Sequence, residues 1–151
     1  MAPPLKAKEP SVSYTELSLV EQPAVELLEE LGWTHGDLMA EVPGPANPTG
    51  RLSWRETVLP ARLRTALASL NPQLPADALQ QAEAQLTADR SAMLPVAANR
   101  ALWRLLRDGV VVELRQADGS MQPERVRVID WLDPDANDFF LASQTWVAST
   151  L

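Results

Sequence analysis

The first run of apolar and polar residues predicts a short amphipathic helix near the amino terminus. Apolar residues recur there at helical spacing, with carboxylates between them. Pro23 suits the first turn of a helix, and Gly32 suits the position after its last residue. We therefore predict a helix over residues 22–31, with Trp33 packing just beyond it. The apolar residues of this segment are Leu19, Val20, Leu27, Leu28 and Leu31.

Three further segments begin with Leu-Pro and continue with apolar residues at helical spacing. Proline is favoured in the first turn because its missing N–H group would have no partner there. Gly109 follows the last segment and predicts its end. The stretch "EVPGPANPTGRLSW" before them is rich in proline and glycine and predicts an irregular loop. The three helical segments are "LPARLRTALASLN", "LPADALQQAEAQLTADR" and "LPVAANRALWRLLRDG".

After Gly109 the period of the apolar pattern changes from the helical value to two. "VVVELRQ" and "ERVRVIDW" flank an Asp-Gly turn signal and predict a β-hairpin. "FFLASQTWV", residues 139–147, predicts a third and more apolar strand. Helices followed by strands indicate an α+β fold, with N-terminal helices and then an antiparallel β-meander.

Composition excludes several classes of site. The 151 residues include no cysteine, which excludes disulfides and thiolate metal sites, and one histidine, which excludes a histidine-rich zinc site. That histidine, His35, is either a solvated loop residue or a general base. No apolar run predicts a membrane span or a signal peptide, so we expect a cytoplasmic protein. We expect residues 1–12 to be a disordered arm and residues 13–151 to form one domain.

Positive charge is concentrated in the middle of the chain. Residues 51–108 carry eight arginines and five acidic residues, a net charge of +3, whereas the whole chain has a net charge of −7. Arg100, Arg104 and Arg107 are spaced so that they share one face of the last predicted helix. This face is either a ridge that contacts DNA phosphates or a solvated surface. The same two interpretations apply to Arg51, Arg55, Arg62 and Arg64.

Two stretches imitate known motifs without meeting their requirements. Residues 44–53, "GPANPTGRLS", have the glycines of a phosphate-binding loop one residue too far apart, and their prolines remove N–H groups that would hold phosphate. Glu113 and Arg115 resemble half of a Glu-x-Lys nuclease motif, but arginine does not readily give up a proton. A solvent-facing ion pair explains them. A helix face and a turn explain the acid pairs Glu29–Glu30 and Asp133–Asp135, so we predict no metal site.

Four longer stretches occur in a fixed order along the chain. They are "LVEQPAVELLEELGWTHGD", "GRLSWRETVLPARLRTALASLNP", "LPVAANRALWRLLRDGV" and "VRVIDWLDPDANDFFLASQTWV". In order and spacing they resemble the amino-terminal region of type I restriction endonuclease R (restriction) subunits. The similarity covers about residues 13–147, and each block is long and mixes Trp, Pro and Asn at fixed places.

The resemblance implies a large parent protein with a PD-(D/E)xK nuclease domain, an ATP-driven DNA translocase and a helical region that docks the methyltransferase and specificity subunits. This chain would be the front part of the α/β nuclease domain. In the family, the catalytic Asp and Glu-x-Lys pair follow the strand that residues 139–147 resemble. The resemblance therefore implies no cofactor in this segment, whereas the parent uses Mg²⁺ and ATP. Glu21 stands where such nucleases often carry a glutamate on the first helix; stabilisation of the helix dipole would also explain it.

Three functions remain open from the sequence. The chain is a restriction-subunit fragment that is inactive alone, a stand-alone interaction protein that docks on or modulates the restriction-modification complex, or a small nuclease using Glu21, Glu113 and Asp130. The expected partners are DNA, through the parent complex, and the methyltransferase and specificity subunits. The apolar strand at residues 139–147 also predicts self-association, because a free strand edge recruits another strand.

Overall fold

A computed structural model describes residues 17–148, which form two compact units. The described part of the first unit comprises residues 17–36 and 139–143, and that of the second comprises residues 37–138 and 144–148. Helices and strands are both present, which confirms the mixed α+β class. The predicted disordered arm, residues 1–12, lies outside the described residues.

The first unit opens with a helix close to the predicted bounds. A π-helical turn, Leu17–Glu21, runs directly into helix α1, Gln22–Glu30. Gly32 then adopts a φ of 89°, a left-handed conformation that favours glycine, and this ends the helix as predicted. The ring of Trp33 stacks on Phe139 with 5.1 Å between ring centroids, so the packing predicted for Trp33 is confirmed.

The last strand of the chain does not extend the hairpin, and the predicted three-stranded meander is wrong on this point. Strand β4, Phe140–Ser143, pairs instead with strand β1, Thr34–Asp37. Gly36 permits this pairing, because a Cβ there would lie 2.6 Å from the ring of Phe140. The strand predicted over residues 139–147 is also shorter than expected.

Three helices belong to the second unit. They begin at or directly after a proline, as predicted, because this residue is compatible with the first helical turn. Among residues 17–148, no helix is long and apolar enough to cross a membrane. The helices are α2, Pro60–Leu70; α3, Ala76–Leu86; and α4, Pro95–Asp108.

The predicted β-hairpin is present, but its second strand begins and ends earlier than the predicted stretch "ERVRVIDW", residues 124–131. Strand β2, Val110–Arg115, pairs antiparallel with β3, Met121–Val126, from Val110 opposite Val126 to Arg115 opposite Met121. Gly109 separates α4 from β2 with a φ of 80°, and a Cβ there would lie 2.7 Å from the carbonyl oxygen of Val126. Glycine is therefore required for the chain to turn from the helix into the strand.

The core of the second unit lies where the hairpin packs against α3, and α2 adds Leu67 to the same buried cluster. Inward residues alternate along β2 and meet small residues on α3, so sheet and helix approach closely. Gln81 and Gln85 of α3 donate to the carbonyls of Glu113 and Val111, at 3.2 and 3.0 Å, which satisfies exposed acceptors on β2. The buried apolar residues are Leu67, Ala78, Ala82, Leu86, Val110, Val112, Leu114 and Val126.

Candidate nucleic-acid interface

Helix α4 presents an exposed arginine face. Arg100, Arg104 and Arg107 are all exposed, whereas the leucines of the opposite stripe pack against the core. The helical periodicity of the sequence predicted this division. Exposure is needed both for a phosphate contact and for a solvated face, so contact with DNA remains a prediction. The core-facing leucines are Leu102, Leu105 and Leu106.

The three arginines differ in how much of their charge is available. Arg107 forms two hydrogen bonds of 2.7 Å with the carboxylate of Asp108, and this contact is the main reason that the pKa of Asp108 is lowered. None of the ion pairs among residues 17–148 involves Arg100 or Arg104. The charge open to a phosphate is therefore greatest at these two positions.

A cleft of about 390 Å³ lies at the C-terminal end of α4 and adds two arginines that the sequence analysis did not select. Arg125 donates to the backbone carbonyl of Asp108, and Arg127 donates to the carboxylate of Asp130 at 2.5 Å. Both arginines follow the period-two pattern of "ERVRV", which places their side chains on the solvent side. That alternation was the available signal.

The loop after the hairpin is organised by Asp130. Its carboxylate accepts hydrogen bonds from the N–H groups of Leu132 and Asp133, at 3.0 and 3.1 Å. The hydrogen bond from the N–H of Asp133 is the largest cause of the lowered pKa of Asp130. Burial opposes this shift, and Leu132 and Arg127 lower the pKa further. The carboxylate of Asp130 therefore holds its loop, whereas its part in the small-nuclease alternative stays a prediction.

Two tryptophans meet beside these arginines. Trp103 of α4 and Trp131 of the following loop pack edge to face, with ring centroids 6.0 Å apart and an angle of 69° between the rings. Both remain substantially exposed, at 49% and 53%. Trp103 is three residues after Arg100 and four before Arg107, and these spacings make side chains neighbours on a helix. The aromatic pair therefore adjoins the arginine face.

Asn71 fixes this surface to the core. Its side chain is 2% exposed and donates to the carbonyls of Leu67 and Arg127, each at 2.8 Å. Its side-chain oxygen accepts the N–H of Arg127, also at 2.8 Å. One buried amide therefore joins the end of α2 to the backbone that carries Arg127.

The phosphate-contact interpretation is wrong for Arg51. Its side chain is fully buried and pairs with Glu41, which is 3% exposed, at 2.5 Å. A second nitrogen of its guanidinium donates to the backbone carbonyl of Trp146 at 2.7 Å. The position of Arg51 in a proline-rich, polar segment gave no signal of burial, because its partners lie 10 and 95 residues away.

Glu41 is the centre of a polar network in this loop. It also accepts hydrogen bonds from the side chains of Asn47 and Thr49, at 2.9 and 2.5 Å. Burial alone would raise the pKa of Glu41, but Asn47, Thr49 and the charge of Arg51 outweigh it, and the pKa is lowered. The stretch that imitates a phosphate-binding loop thus directs its polar side chains inward, toward a carboxylate.

The other early arginines lie at the surface, mostly in ion pairs. Arg62 binds Asp138 at 2.6 Å, and Arg64 binds Glu83 at 2.9 Å. Arg55 is exposed. These contacts favour the solvated-surface interpretation for Arg62 and Arg64, because each already holds a carboxylate.

The predicted catalytic acids do not form a metal site within the described residues. Glu21 is half-buried at the junction between the π-helical turn and α1, and Glu113 is exposed on β2. Glu113 and Arg115 face solvent as predicted, but no ion pair joins them. Among residues 17–148, no group of three or more acidic or histidine side chains is placed to hold a metal ion.

His35 lies in strand β1, so its assignment to a loop is wrong. A hydrogen bond of 2.8 Å joins its Nε2 to the hydroxyl of Ser143, and its Nδ1 lies 3.9 Å from Glu29. The carboxylate is too far from the ring for a hydrogen bond that would orient it. These contacts explain His35 as a tie between β1 and β4; its role as a general base remains untested.

Comparison with protein families gives a match over residues 13–150 to the family described as "Type I restriction enzyme R protein N terminus". The chain belongs to this family. A relative of this R-protein chain, the "Type I restriction enzyme HindI endonuclease subunit" of Haemophilus influenzae, is 32% identical over 130 residues. The aligned region covers 86% of this chain but only 12% of the relative. No solved structure matches the chain.

Within this R-protein N-terminal chain, the exposed arginines of α4 have a chemistry that suits anions. Arginine presents a planar set of N–H donors that matches phosphate oxygens. Mg²⁺ requires oxygen ligands that converge, and the described carboxylates do not converge. The described acids therefore do not fit a Mg²⁺ site, and Asn47 and Thr49 are bonded to Glu41 rather than arranged for nucleotide phosphates.

Proposed function

We propose that this chain serves DNA restriction as the N-terminal, nuclease-side segment of a type I restriction endonuclease R subunit. The family match over residues 13–150 is the observation that carries the proposal. Helices α2–α4 and the hairpin would be the front part of an α/β domain of the PD-(D/E)xK type. The chain spans 12% of the length of the Haemophilus influenzae relative, so most of such a subunit is supplied by other segments.

The exposed face of α4 is the proposed DNA contact. Arg100 and Arg104 would bind backbone phosphates, since neither forms an ion pair within the described part of the chain. Arg107 would contribute less because Asp108 already binds it. Contacts of this kind position a protein on DNA without reading its sequence.

Catalysis would be completed outside the described residues. Phosphodiester hydrolysis by this class of nuclease requires carboxylates around Mg²⁺ and a group that activates water. The described residues offer no such set. We therefore propose that Mg²⁺ and ATP act in other segments of the R subunit, and that Glu21 contributes to catalysis from this segment.

The second candidate function is that of an interaction protein. A cleft of about 390 Å³ in the second unit is lined mainly by apolar side chains, among them Met39, Val42, Trp54 and Trp146. These four side chains are 41% to 71% exposed, which is unusual for a group of large apolar residues. Such a cleft would suit docking on the methyltransferase–specificity core.

An assembly and cleavage experiment separates the two functions. The chain is mixed with its methyltransferase–specificity complex, and a plasmid with the recognition site is added with Mg²⁺, with and without ATP. A parallel sample uses an R subunit in which this chain supplies the N-terminal segment. The restriction proposal predicts ATP-dependent cleavage by the R subunit only, lost on Arg100→Ala/Arg104→Ala and kept with the control Arg115→Ala.

The alternative outcomes are equally specific. Co-elution of the chain alone with the complex, lost on Trp54→Ser, would favour the interaction protein. Metal-dependent nicking by the chain alone, abolished by Glu21→Gln, would contradict the restriction-segment proposal and indicate an autonomous nuclease.

A further inference from the structure

The paired tryptophans beside the arginine face have no role in the core. Trp103 and Trp131 touch each other but are 49% and 53% exposed, and neither belongs to the group of side chains packed against the buried residues. Each Å² of apolar surface that stays exposed forgoes about 25 cal/mol of stabilising free energy. Two half-exposed indole rings are therefore unfavourable for folding alone. A ligand with a flat apolar face could cover the exposed surface of both rings.

The positive charge of the arginines around the tryptophan pair favours a ligand with several negative charges. Arg100, Arg104 and Arg107 occupy the positions three before, one after and four after Trp103 on α4. The adjoining cleft, which Trp131 lines, adds Arg125 and Arg127. Two of these five arginines already bind a carboxylate, Arg107 that of Asp108 and Arg127 that of Asp130.

We propose that Trp103 and Trp131 form a stacking platform for an unpaired base of single-stranded DNA, with its phosphates held by the surrounding arginines. The proposal rests on the proposed function only in taking DNA as the ligand. Bases in a duplex are stacked on their neighbours and offer no free face, whereas an unpaired base can stack on an indole ring. Stacking does not require a particular base, so the platform tolerates any sequence.

The loop geometry supports a fixed platform. Trp131 follows Asp130, whose backbone N–H donates to the side chain of Asn137 at 2.8 Å and whose carbonyl accepts from the same side chain at 2.8 Å. A rigid ring loses little conformational freedom when a base stacks on it, which favours binding. A protein partner would need both a flat apolar group to stack on the tryptophans and many acidic residues to bind the arginines.

The test measures binding of the full chain to a fluorescent oligo(dT) strand and to a duplex of equal length. Trp103→Leu and Trp131→Leu should each weaken binding to the single strand by roughly tenfold, the range that stacking of one base accounts for. Binding to the duplex should stay within about twofold. Trp131→Phe keeps an aromatic ring and should retain most of the affinity. Trp146→Leu, an exposed tryptophan outside this surface, is the matched control.

Each result decides the proposal. An oligonucleotide with abasic sites should bind the unmodified chain as weakly as oligo(dT) binds the leucine variants. Equal single-strand affinity of the chain and both leucine variants, each folded by circular dichroism, would overturn the platform, as would failure of the chain to bind oligo(dT). Tryptophan-dependent binding of polyglutamate in preference to DNA would indicate an acidic protein partner instead.

Failure of the platform is distinguishable from failure of the proposed function. Duplex binding that depends on Arg100 and Arg104 without any effect of the tryptophans removes the platform and leaves the restriction segment intact. Tryptophan-dependent binding of single strands, with no cleavage by an R subunit that carries this segment, removes the proposed function and leaves the platform intact.

Discussion

Replacing Glu41 by glutamine should destabilise the second unit strongly. Glutamine keeps the size of the side chain but removes the charge that balances Arg51. Arg51 is fully buried, and its Nε already lacks a hydrogen-bond partner among the described residues. Without Glu41, a guanidinium charge would be left in the interior, where the carbonyl of Trp146 is its remaining hydrogen-bond partner among residues 17–148.

The size of the effect follows from the burial of the pair. Removing one partner of a buried ion pair costs about 3–5 kcal/mol, because the remaining charge is uncompensated. Since small domains are stable by about 5–15 kcal/mol, this is a large part of the total. With a denaturant dependence of about 2 kcal/mol per molar urea, the unfolding midpoint should fall by roughly 2 M.

Urea unfolding followed by tryptophan fluorescence measures this change, since Trp54 and Trp146 border the loop that holds the pair. The double variant Glu41→Leu/Arg51→Met should recover much of the lost stability, because replacing a whole buried pair by apolar residues is often neutral. Arg64→Met, which breaks a pair with a 61% exposed arginine, is the control and should change the midpoint far less. A Glu41→Gln midpoint equal to that of the unmodified chain would refute the reasoning.

The same carboxylate predicts a pH dependence with a definite sign. The pKa of Glu41 is lower in the folded chain than its ordinary value of 4.5. A lowered pKa contributes stability above the unfolded value, and this contribution is lost as the pH falls through the folded value. Acidification below about 4.5 should therefore reduce the free energy of unfolding less steeply in Glu41→Gln than in the unmodified chain.

Three further predictions concern other parts of the chain. Asn71→Ala should lower the free energy of unfolding by about 1–3 kcal/mol for each buried group left unpaired, measured in urea; an unchanged midpoint would contradict the role of this amide. Residues 139–147 should mediate self-association, since β4 belongs to a two-stranded sheet and Trp146 is 63% exposed; sedimentation of a stable monomer would refute it. The isolated chain should not nick plasmid with Mg²⁺, and nicking that Glu21→Gln abolishes would show otherwise.

Local pattern predicted the elements that depend on neighbours in sequence. The helix after Glu21, the proline-initiated helices and the Asp-Gly hairpin appear because periodicity and turn residues act over a few positions. Gly32 and Gly109 end their helices because glycine tolerates the required conformations. The exposed face of α4 follows from the same periodicity.

The remaining features depend on contacts between distant residues. Strand β1 has the sequence "THGD", which shows no apolar alternation, and it is a strand only because β4 pairs with it over 100 residues later. Arg51 was indistinguishable from a surface arginine, since Glu41 and the carbonyl of Trp146 are what permit its burial. The tryptophan pair likewise joins a helix to a loop that periodicity does not relate.

The salt dependence of duplex DNA binding tests the central claim, that α4 contacts DNA through Arg100 and Arg104, most directly. Each phosphate contact contributes about 0.9 to the slope of log affinity against log salt. Arg100→Ala/Arg104→Ala should therefore flatten the slope by about 1.8, and adding Arg107→Ala should change it little further, because Asp108 holds that side chain. Arg55→Ala serves as the control at an exposed arginine elsewhere. A slope that is the same in the double variant and the unmodified chain would contradict the account and identify the arginine face as a solvated surface.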